Sequence, residues 1–495
     1  MKESKRAKTL EGELDGVDLI SNLPDRVLQL ILSRLQGTEE AIRSSILSRR
    51  WRYLWTSIPS IDIDYTRGLE HDPQMVLESI GFKNFVSWVL LNKPIDLDSF
   101  RLRCADYYDM TTIRQWIHAA VVRKVKQLDL MFSPIDESED IEMPYCLVTC
   151  GSLEVLRLCL LGYHLCLPKI TGFSALRVLE LNDVTLKKGD LVKYFLESCP
   201  LLEDLSLLHC YADKLVIACP KLKNLRIENR ERIFDYETED YIDCRMSSSV
   251  TICCPKLVLL NLTGSVSRDF ILYNLYSLKK AVILCRDFLN QLDPPCDFFE
   301  RISQVESLSI SLYCVGQAYW PEEDEPVSLP NLKTLEITVD AVHRLIPFLK
   351  CFPDLESLHL IFINESSLLD LMEKFFYRAD KCKLKNAATI NFVTPRLKKV
   401  EFHDYDEEHL ALARALLENG SALEEMVFIW IDEAKFHEKS LETMNQVSNF
   451  HKASSNVKLR FVIKPRQTES ILAPKRFEVD SSKCSSNSSI KLLGC

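Results

Sequence analysis

From residue 125 onward the chain repeats one pattern: an apolar residue, two others, an apolar residue, one other, and a third apolar residue. It reads Val125-x-x-Leu128-x-Leu130, Leu153-x-x-Leu156-x-Leu158, Leu176-x-x-Leu179-x-Leu181, Leu202-x-x-Leu205-x-Leu207, Leu222-x-x-Leu225-x-Ile227 and Leu257-x-x-Leu260-x-Leu262. A weaker unit at Leu278 keeps only Ala281 and Ile283. Val305-x-x-Leu308-x-Ile310, Leu332-x-x-Leu335-x-Ile337, Leu355-x-x-Leu358-x-Leu360, Leu397-x-x-Val400-x-Phe402 and Leu423-x-x-Met426-x-Phe428 follow. The last two apolar residues of each unit, two apart, point the same way from an extended segment. Each unit therefore predicts a short strand lying beside the next in a parallel sheet.

The starts recur about every 27 residues, within the roughly 20–29 of leucine-rich repeats. Pro200, Pro220, Pro255, Pro330, Pro353 and Pro395 stand two before a start, where proline ends the returning segment and sets an extended approach. Cys150, Cys199, Cys219 and Cys254 stand three before a start and read as small buried thiols at the turn. Between strands, segments such as Leu191–Leu196 predict helices on the outer side. The long gaps before Leu257 and Leu397 hold charged stretches, Arg230-Glu231-Arg232 with Glu237, Glu239 and Asp240, and Lys381, Lys383 and Lys385 after a helix over 367–377. These read as surface insertions.

Ahead of the repeats, Ile61–Tyr65 alternates with period two and predicts a strand. Helices are predicted over 74–91, with Val76, Ile80, Phe85 and Trp88, and over 111–123, with Ile113, Trp116, Ile117 and Val121. Phe100–Leu102 predicts a strand between them. Toward the C-terminus, Leu397–Phe402 predicts a strand, Leu410–Gly420 a helix with an Asn-Gly stop, and Ser421–Phe428 a returning strand. Val457–Ile463 predicts a closing strand.

Residues 18–59 predict three short helices. The first begins at Pro24 and Asp25 and stops before Gly37; Thr38 caps the second; Ser48 caps the third, which carries Trp51, Leu54 and Trp55. Val27, Leu28, Ile31, Leu32 and Leu35 cover about 140° of the first helix, and Leu30 widens the arc to roughly 200°. That is more apolar surface than a unit of about 40 residues can bury by itself, so a partner is expected to supply another wall. Leu23-Pro24, the run Arg43-Ser44-Ser45-Ile46-Leu47-Ser48-Arg49-Arg50-Trp51 and the following Leu54-Trp55 resemble an F-box. In that family the helices dock on a Skp-type adaptor, which links them to the cullin and RING subunits of a ubiquitin ligase. The resemblance implies adaptor contact through Leu23, Pro24, Val27, Leu28, Ile31, Leu32, Leu35, Leu47, Trp51, Leu54 and Trp55. The strand–helix–strand over 397–428 resembles the FBD module that follows F-box and leucine-rich segments in a large plant family.

The expected architecture is α/β: an N-terminal three-helix F-box (17–62), an irregular leucine-rich-repeat solenoid (63–385) and an FBD-like unit (386–465). Disordered tails are expected at 1–16 and 466–495, the second rich in Ser and Lys. The formal net charge of −10 argues against a nucleic-acid binder relying on overall positive charge. No stretch approaches the ~18–20 apolar residues of a membrane span. Most of the 18 cysteines lie in apolar runs or just before proline, with no secretion signal, so reduced thiols in the nucleus and/or cytoplasm are expected. Lys5-Arg6-Ala7-Lys8 has the form of a minimal nuclear-import signal or a plain basic tail.

The phosphate-loop, dinucleotide, nucleophile-elbow and zincin motifs do not occur, and Cys253-Cys254 lacks zinc-site spacing. His403, Asp404, Asp406, Glu407, Glu408 and His409 cluster before a helix, where carboxylates serve as a solvated cap. Glu322–Glu325 is an acidic loop, a candidate contact for a basic substrate. The chain is thus expected to be a non-catalytic substrate receptor of an SCF-type ubiquitin ligase, with no cofactor or metal and a protein substrate on the repeats and FBD-like end. The alternatives are a scaffold that does not ubiquitylate and a small-ligand sensor with a pocket in the concave face.

Overall fold

The computed structural model describes residues 20, 23–64, 75–108, 110–134, 140–167, 173–186, 189–229, 233–235, 240–242, 247–284, 296–311, 329–339, 345, 348–349, 352, 354–362, 395–403, 409–430 and 442–463. Both tails, the import-like tetrapeptide, the acidic loop, the helix over 367–377, the lysines after it, and Asp404–Glu408 lie outside these. The chain divides after Leu332 into two compact units.

The first unit opens with helix α1 (Asp25–Leu32), helix α2 (Thr38–Arg43), a 3₁₀ turn (Ser44–Ile46) and a 3₁₀ helix (Trp51–Ser57). Pro24 is the N-cap of α1 rather than its first residue, with ψ at 147°. Gly37 caps α2 at φ 102°, a left-handed backbone that only glycine takes without strain. Thr38, expected as that cap, is the first helical residue instead, and its hydroxyl accepts the Asp62 N–H at 2.8 Å. The predicted third helix takes the tighter 3₁₀ form and is capped by Arg50, not Ser48.

Then Ser60–Asp64, α3 (Met75–Leu91), Ser99–Tyr108 and α4 (Met110–Val122) alternate strand and helix, as predicted. The two strands pair in parallel, Ile61 opposite Phe100 and Ile63 opposite Leu102. The ladder thus begins two strands before the first repeat named from the pattern. Gln127–Pro134, Val155–Cys159, Val178–Asn182, Asp204–Leu208, Asn224–Glu228, Leu259–Thr263, Lys280–Leu284 and Ser307–Ser311 add on in chain order, all parallel. Phe100, Leu128, Leu156, Leu179, Leu205, Leu225, Leu260, Ala281 and Leu308 fall opposite one another along this sheet and are buried. Each such leucine removed from water stabilises the unit by about 1.5–3 kcal/mol.

Register has a second determinant at the strand entries. Asp98, Lys126, Glu154, Arg177, Glu203 and Lys223 occupy equivalent positions on successive turns and alternate in sign. Lys126 meets Asp98 at 2.7 Å, and Glu203 meets Arg177 at 3.0 Å and Lys223 at 2.8 Å. A slip by one repeat would set like charges side by side.

The outer side departs from the helices expected there. Helices α5 (Tyr145–Val148), α6 (Gly189–Glu197) and α7 (Cys296–Arg301) are present, α6 where Leu191–Leu196 predicts it. Elsewhere the connections form short parallel strands. Ile141–Glu142, His164–Cys166, Thr185–Leu186 and Tyr211–Ala212 make one small sheet; Lys214–Ile217, Ser247–Cys253 and Ser267–Tyr273 make another. Pairing with the neighbouring return satisfies the backbone of these segments in place of a helix. The charged stretch before Leu257 contains an antiparallel pair, Ile233–Asp235 with Asp240–Ile242.

In the second unit, Thr334–Val339, Ser357–Phe362, Lys399–His403, Glu425–Trp430 and Lys458–Ile463 form a parallel ladder in chain order. Helix α8 (Leu410–Asn419) crosses between the third and fourth of these strands. The strand–helix–strand read from the sequence is therefore present, with the closing strand beside it. Phe402, Phe428 and Phe461 share one register and stack at 5.0 and 5.2 Å, nearly parallel, a spacing set by the strands themselves.

Candidate docking surface

Helix α1 divides its apolar residues between two neighbouring arcs. Leu28 and Leu32 turn inward and are fully buried; α1 packs on the 3₁₀ helix, whose Trp51, Leu54 and Trp55 are buried with them. Val27, Leu30 and Ile31, spaced i, i+3 and i+4, form an outward stripe, and Leu35 follows beyond the helix end. All four are exposed although apolar. The turn after α2 adds Ile46 at 88% and Leu47 at 65% exposure, and Tyr53 is exposed as well.

The eleven residues that the F-box resemblance implies thus separate. Pro24, Val27, Ile31, Leu35 and Leu47 present surface, Leu23 is half-buried, and Leu28, Leu32, Trp51, Leu54 and Trp55 build the unit's own core. Leu30, which the sequence reading placed only at the edge of the apolar arc, joins the exposed set, as do Ile46 and Tyr53.

Polar contacts hold this arrangement. Arg50 donates from Nε to Asp25 Oδ1 at 2.9 Å and from its terminal nitrogen to the Leu23 carbonyl at 2.6 Å, joining the two ends of the unit. Lys93, after α3, is almost fully buried, and its Nζ donates to the carbonyls of Trp55 and Ile58 at 2.6 and 2.7 Å. Burial pushes its amine down to about 7. The Trp55 ring also meets Trp88 of α3, centroids 5.3 Å apart. The helical unit is thereby fastened to the first strand–helix–strand.

Beside it lies a cleft of about 310 Å³ lined by Leu32, Lys93, Arg101, Asp129 and Arg157 among others. Within it Arg101 lies 3.7 Å from Asp62 and 3.6 Å from Asp129.

The two histidines read before α8 face different partners, while Asp404, Asp406, Glu407 and Glu408 lie outside the described residues. His409 stacks on Phe362, centroids 3.6 Å apart. His403 turns instead to Glu401, its Nε2 donating to Oε2 at 3.1 Å, while His359 Nδ1 reaches the same oxygen at 3.3 Å. The hydrogen bonds from His359 and then His403 hold the Glu401 carboxyl well below the usual carboxylate range. Among the described residues no helix is long and apolar enough to cross a membrane.

Two protein-family models match the chain: F-box domain over residues 20–62, and LRR repeats of FBD-associated F-box protein At5g56370 over residues 113–243. The F-box/FBD/LRR-repeat protein At1g78750 of Arabidopsis thaliana is 30% identical over 372 residues, covering 69% of this chain and 76% of that protein. FBD-associated F-box protein At5g22730 of the same organism is 26% identical over 433 residues, 83% of this chain and 88% of that protein. The putative F-box/FBD/LRR-repeat protein At1g66290 is 27% identical over 436 residues, 84% of this chain and 88% of that protein. Similarity sustained over such lengths exceeds any single module, and the chain belongs to the family of F-box/FBD/LRR-repeat proteins.

Proposed function

We propose that this F-box protein is the substrate-recognition subunit of an SCF-type E3 ubiquitin ligase. The outward stripe of α1 and the Ile46–Leu47 turn dock on a Skp-type adaptor and, through it, on cullin and RING subunits. The strand ladders and the FBD-like end hold a protein substrate. The chain performs no chemistry of its own; it contributes proximity between substrate and conjugating enzyme. It acts in the nucleus and/or cytoplasm, where reduced thiols persist.

One observation carries this reading: the helical unit buries Leu28, Leu32, Trp51, Leu54 and Trp55 and still exposes Val27, Leu30, Ile31, Leu35, Ile46 and Leu47. Exposed apolar side chains concentrated on so small a unit mark an interaction site. The test is a binding titration of the full chain with a purified Skp-type adaptor, comparing wild type with Ile31→Asp/Leu35→Asp. Both residues are exposed, so the variant keeps its thermal melting profile. Charge placed at a desolvated contact costs several kcal/mol, a loss of binding of a hundredfold or more. Unchanged affinity in the folded variant sinks the reading.

A further inference from the structure

In the second unit, equivalent positions of neighbouring strands bring together three side chains that lie far apart in sequence. His359 and Glu401 are direct register partners in adjacent parallel strands, and His403 lies two residues beyond Glu401 on the same face. The flanking Leu358, Leu360, Val400 and Phe402 point the other way and are buried. Glu401 is itself only 6% exposed, an uncommon place for a carboxylate. Both imidazoles converge on one of its oxygens, His359 Nδ1 at 3.3 Å and His403 Nε2 at 3.1 Å, and the three ligand atoms lie within 4.8 Å of one another.

We propose that His359, Glu401 and His403 form a binding site for a divalent transition-metal ion, zinc in the first place, on the sheet face of the second unit. Two nitrogens and one carboxylate oxygen are a donor set that zinc accepts, with a fourth position left for water or an incoming ligand. Two of the three donor spacings already suit it. Donors held tetrahedrally at about 2.0–2.1 Å from zinc stand roughly 3.3–3.4 Å apart, close to both nitrogen-to-Oε2 distances.

The surroundings set the roles of the donors. Lys399 Nζ occupies the other Glu401 oxygen at 2.8 Å, so the carboxylate binds through Oε2 alone. Lys399 also lies 3.8 Å from Glu425, which spreads its charge away from the ion. Ser357 Oγ lies 2.9 Å from His359 Nε2. With a metal on Nδ1, Nε2 carries the proton and donates to that hydroxyl, fixing tautomer and ring as the outer partners of metal-bound histidines do. Glu336, in register with His359 on its far side, adds a further acid to the neighbourhood. Binding clips strand Ser357–Phe362 to strand Lys399–His403.

The test uses the full chain, stripped with chelator, reduced, and titrated with cobalt(II) or zinc(II). The expected result is one equivalent of cobalt with the absorption of nitrogen and oxygen ligation, without a thiolate charge-transfer band. The affinity falls at least tenfold in His359→Gln and in His403→Gln, and zinc raises the melting temperature of wild type alone. Unchanged affinity in both folded variants overturns the proposal, because the metal then sits elsewhere, most readily on the cysteines. X-ray absorption of the zinc-loaded wild-type chain decides the matter even where a variant misfolds. Two imidazole ligands and no sulfur support the site; sulfur ligation, or no stoichiometric zinc at all, overturns it.

Discussion

Lys93 Nζ lies 2.6 Å from the carbonyl oxygen of Trp55, thirty-eight positions earlier in the chain, and shares the same amine with Ile58. The helical unit therefore closes on a buried lysine supplied by the segment that follows it. An uncharged amine carries two N–H groups, matching the two carbonyls it serves. Burial lowers this lysine from 10.5 to about 7, so between those values the unfolded chain binds a proton that the folded chain does not. Stability contributed at this site is lowest below pH 7 and rises with pH across that window. Lys93→Met removes the slope and leaves two buried carbonyls without a donor. Urea unfolding at pH 7, 8 and 9 should show the wild type gaining on the variant by up to a few kcal/mol. A constant difference would mean that the amine stays charged.

The two arcs of α1 should respond in opposite ways to truncation. Leu28 has no exposed surface, so Leu28→Ala leaves a cavity and costs about 2–5 kcal/mol. Ile31→Ala, on the outward stripe, leaves unfolding of the free chain within about 0.5 kcal/mol of wild type. Chemical denaturation of both variants without adaptor checks the pair. Equal destabilisation would show that Ile31 belongs to the core.

The buried thiols should be silent until the chain unfolds. Burial pushes Cys199 and Cys254 up to about 11, Cys210 up to about 12, and Cys219 higher still. Only the thiolate is nucleophilic, so alkylation of the native chain at pH 8 should leave these four unmodified. All four should label in denaturant without reductant, because none of the four is in a disulfide. Peptide mass mapping reads both states; a site that labels only after reduction would reveal a disulfide.

Gly420 closes α8 for a reason other than handedness. Its φ of −82° suits any residue, but an added Cβ would meet the Leu416 carbonyl oxygen at 2.6 Å. That carbonyl accepts the Gly420 N–H at 2.9 Å, so it is held in place. Gly420→Ala should destabilise the second unit by about 1–3 kcal/mol, seen as a lower midpoint in thermal or denaturant unfolding. An unchanged midpoint would show that the helix end can shift at little cost.

Much of the fold was legible in the sequence because its signal is local and repeated. Each apolar-x-x-apolar-x-apolar unit from Val125 to Phe428 is a strand in the structure, since residues two apart share a face whatever surrounds them. The alternation of Asp98, Lys126, Glu154, Arg177, Glu203 and Lys223 was equally available, but it appears only when the repeats are laid over one another. The short outer strands were not legible: Ile141–Glu142 or Thr185–Leu186 is extended only because a neighbour offers backbone partners.

By itself the sequence determined the strand order, the helical unit before it, and an excess of apolar surface on α1. Those follow from period, capping residues and composition, which act within a few positions. Tertiary structure alone decided that Leu28 and Trp51 face inward while Val27 and Ile31 face out, since adjacent arcs of one apolar helix are equivalent until a neighbour packs on one of them. It alone placed His359 beside Glu401 and turned His403 toward both. Glu401 lies forty-two positions after His359 along the chain, and only the register of two parallel strands sets their side chains 3.3 Å apart.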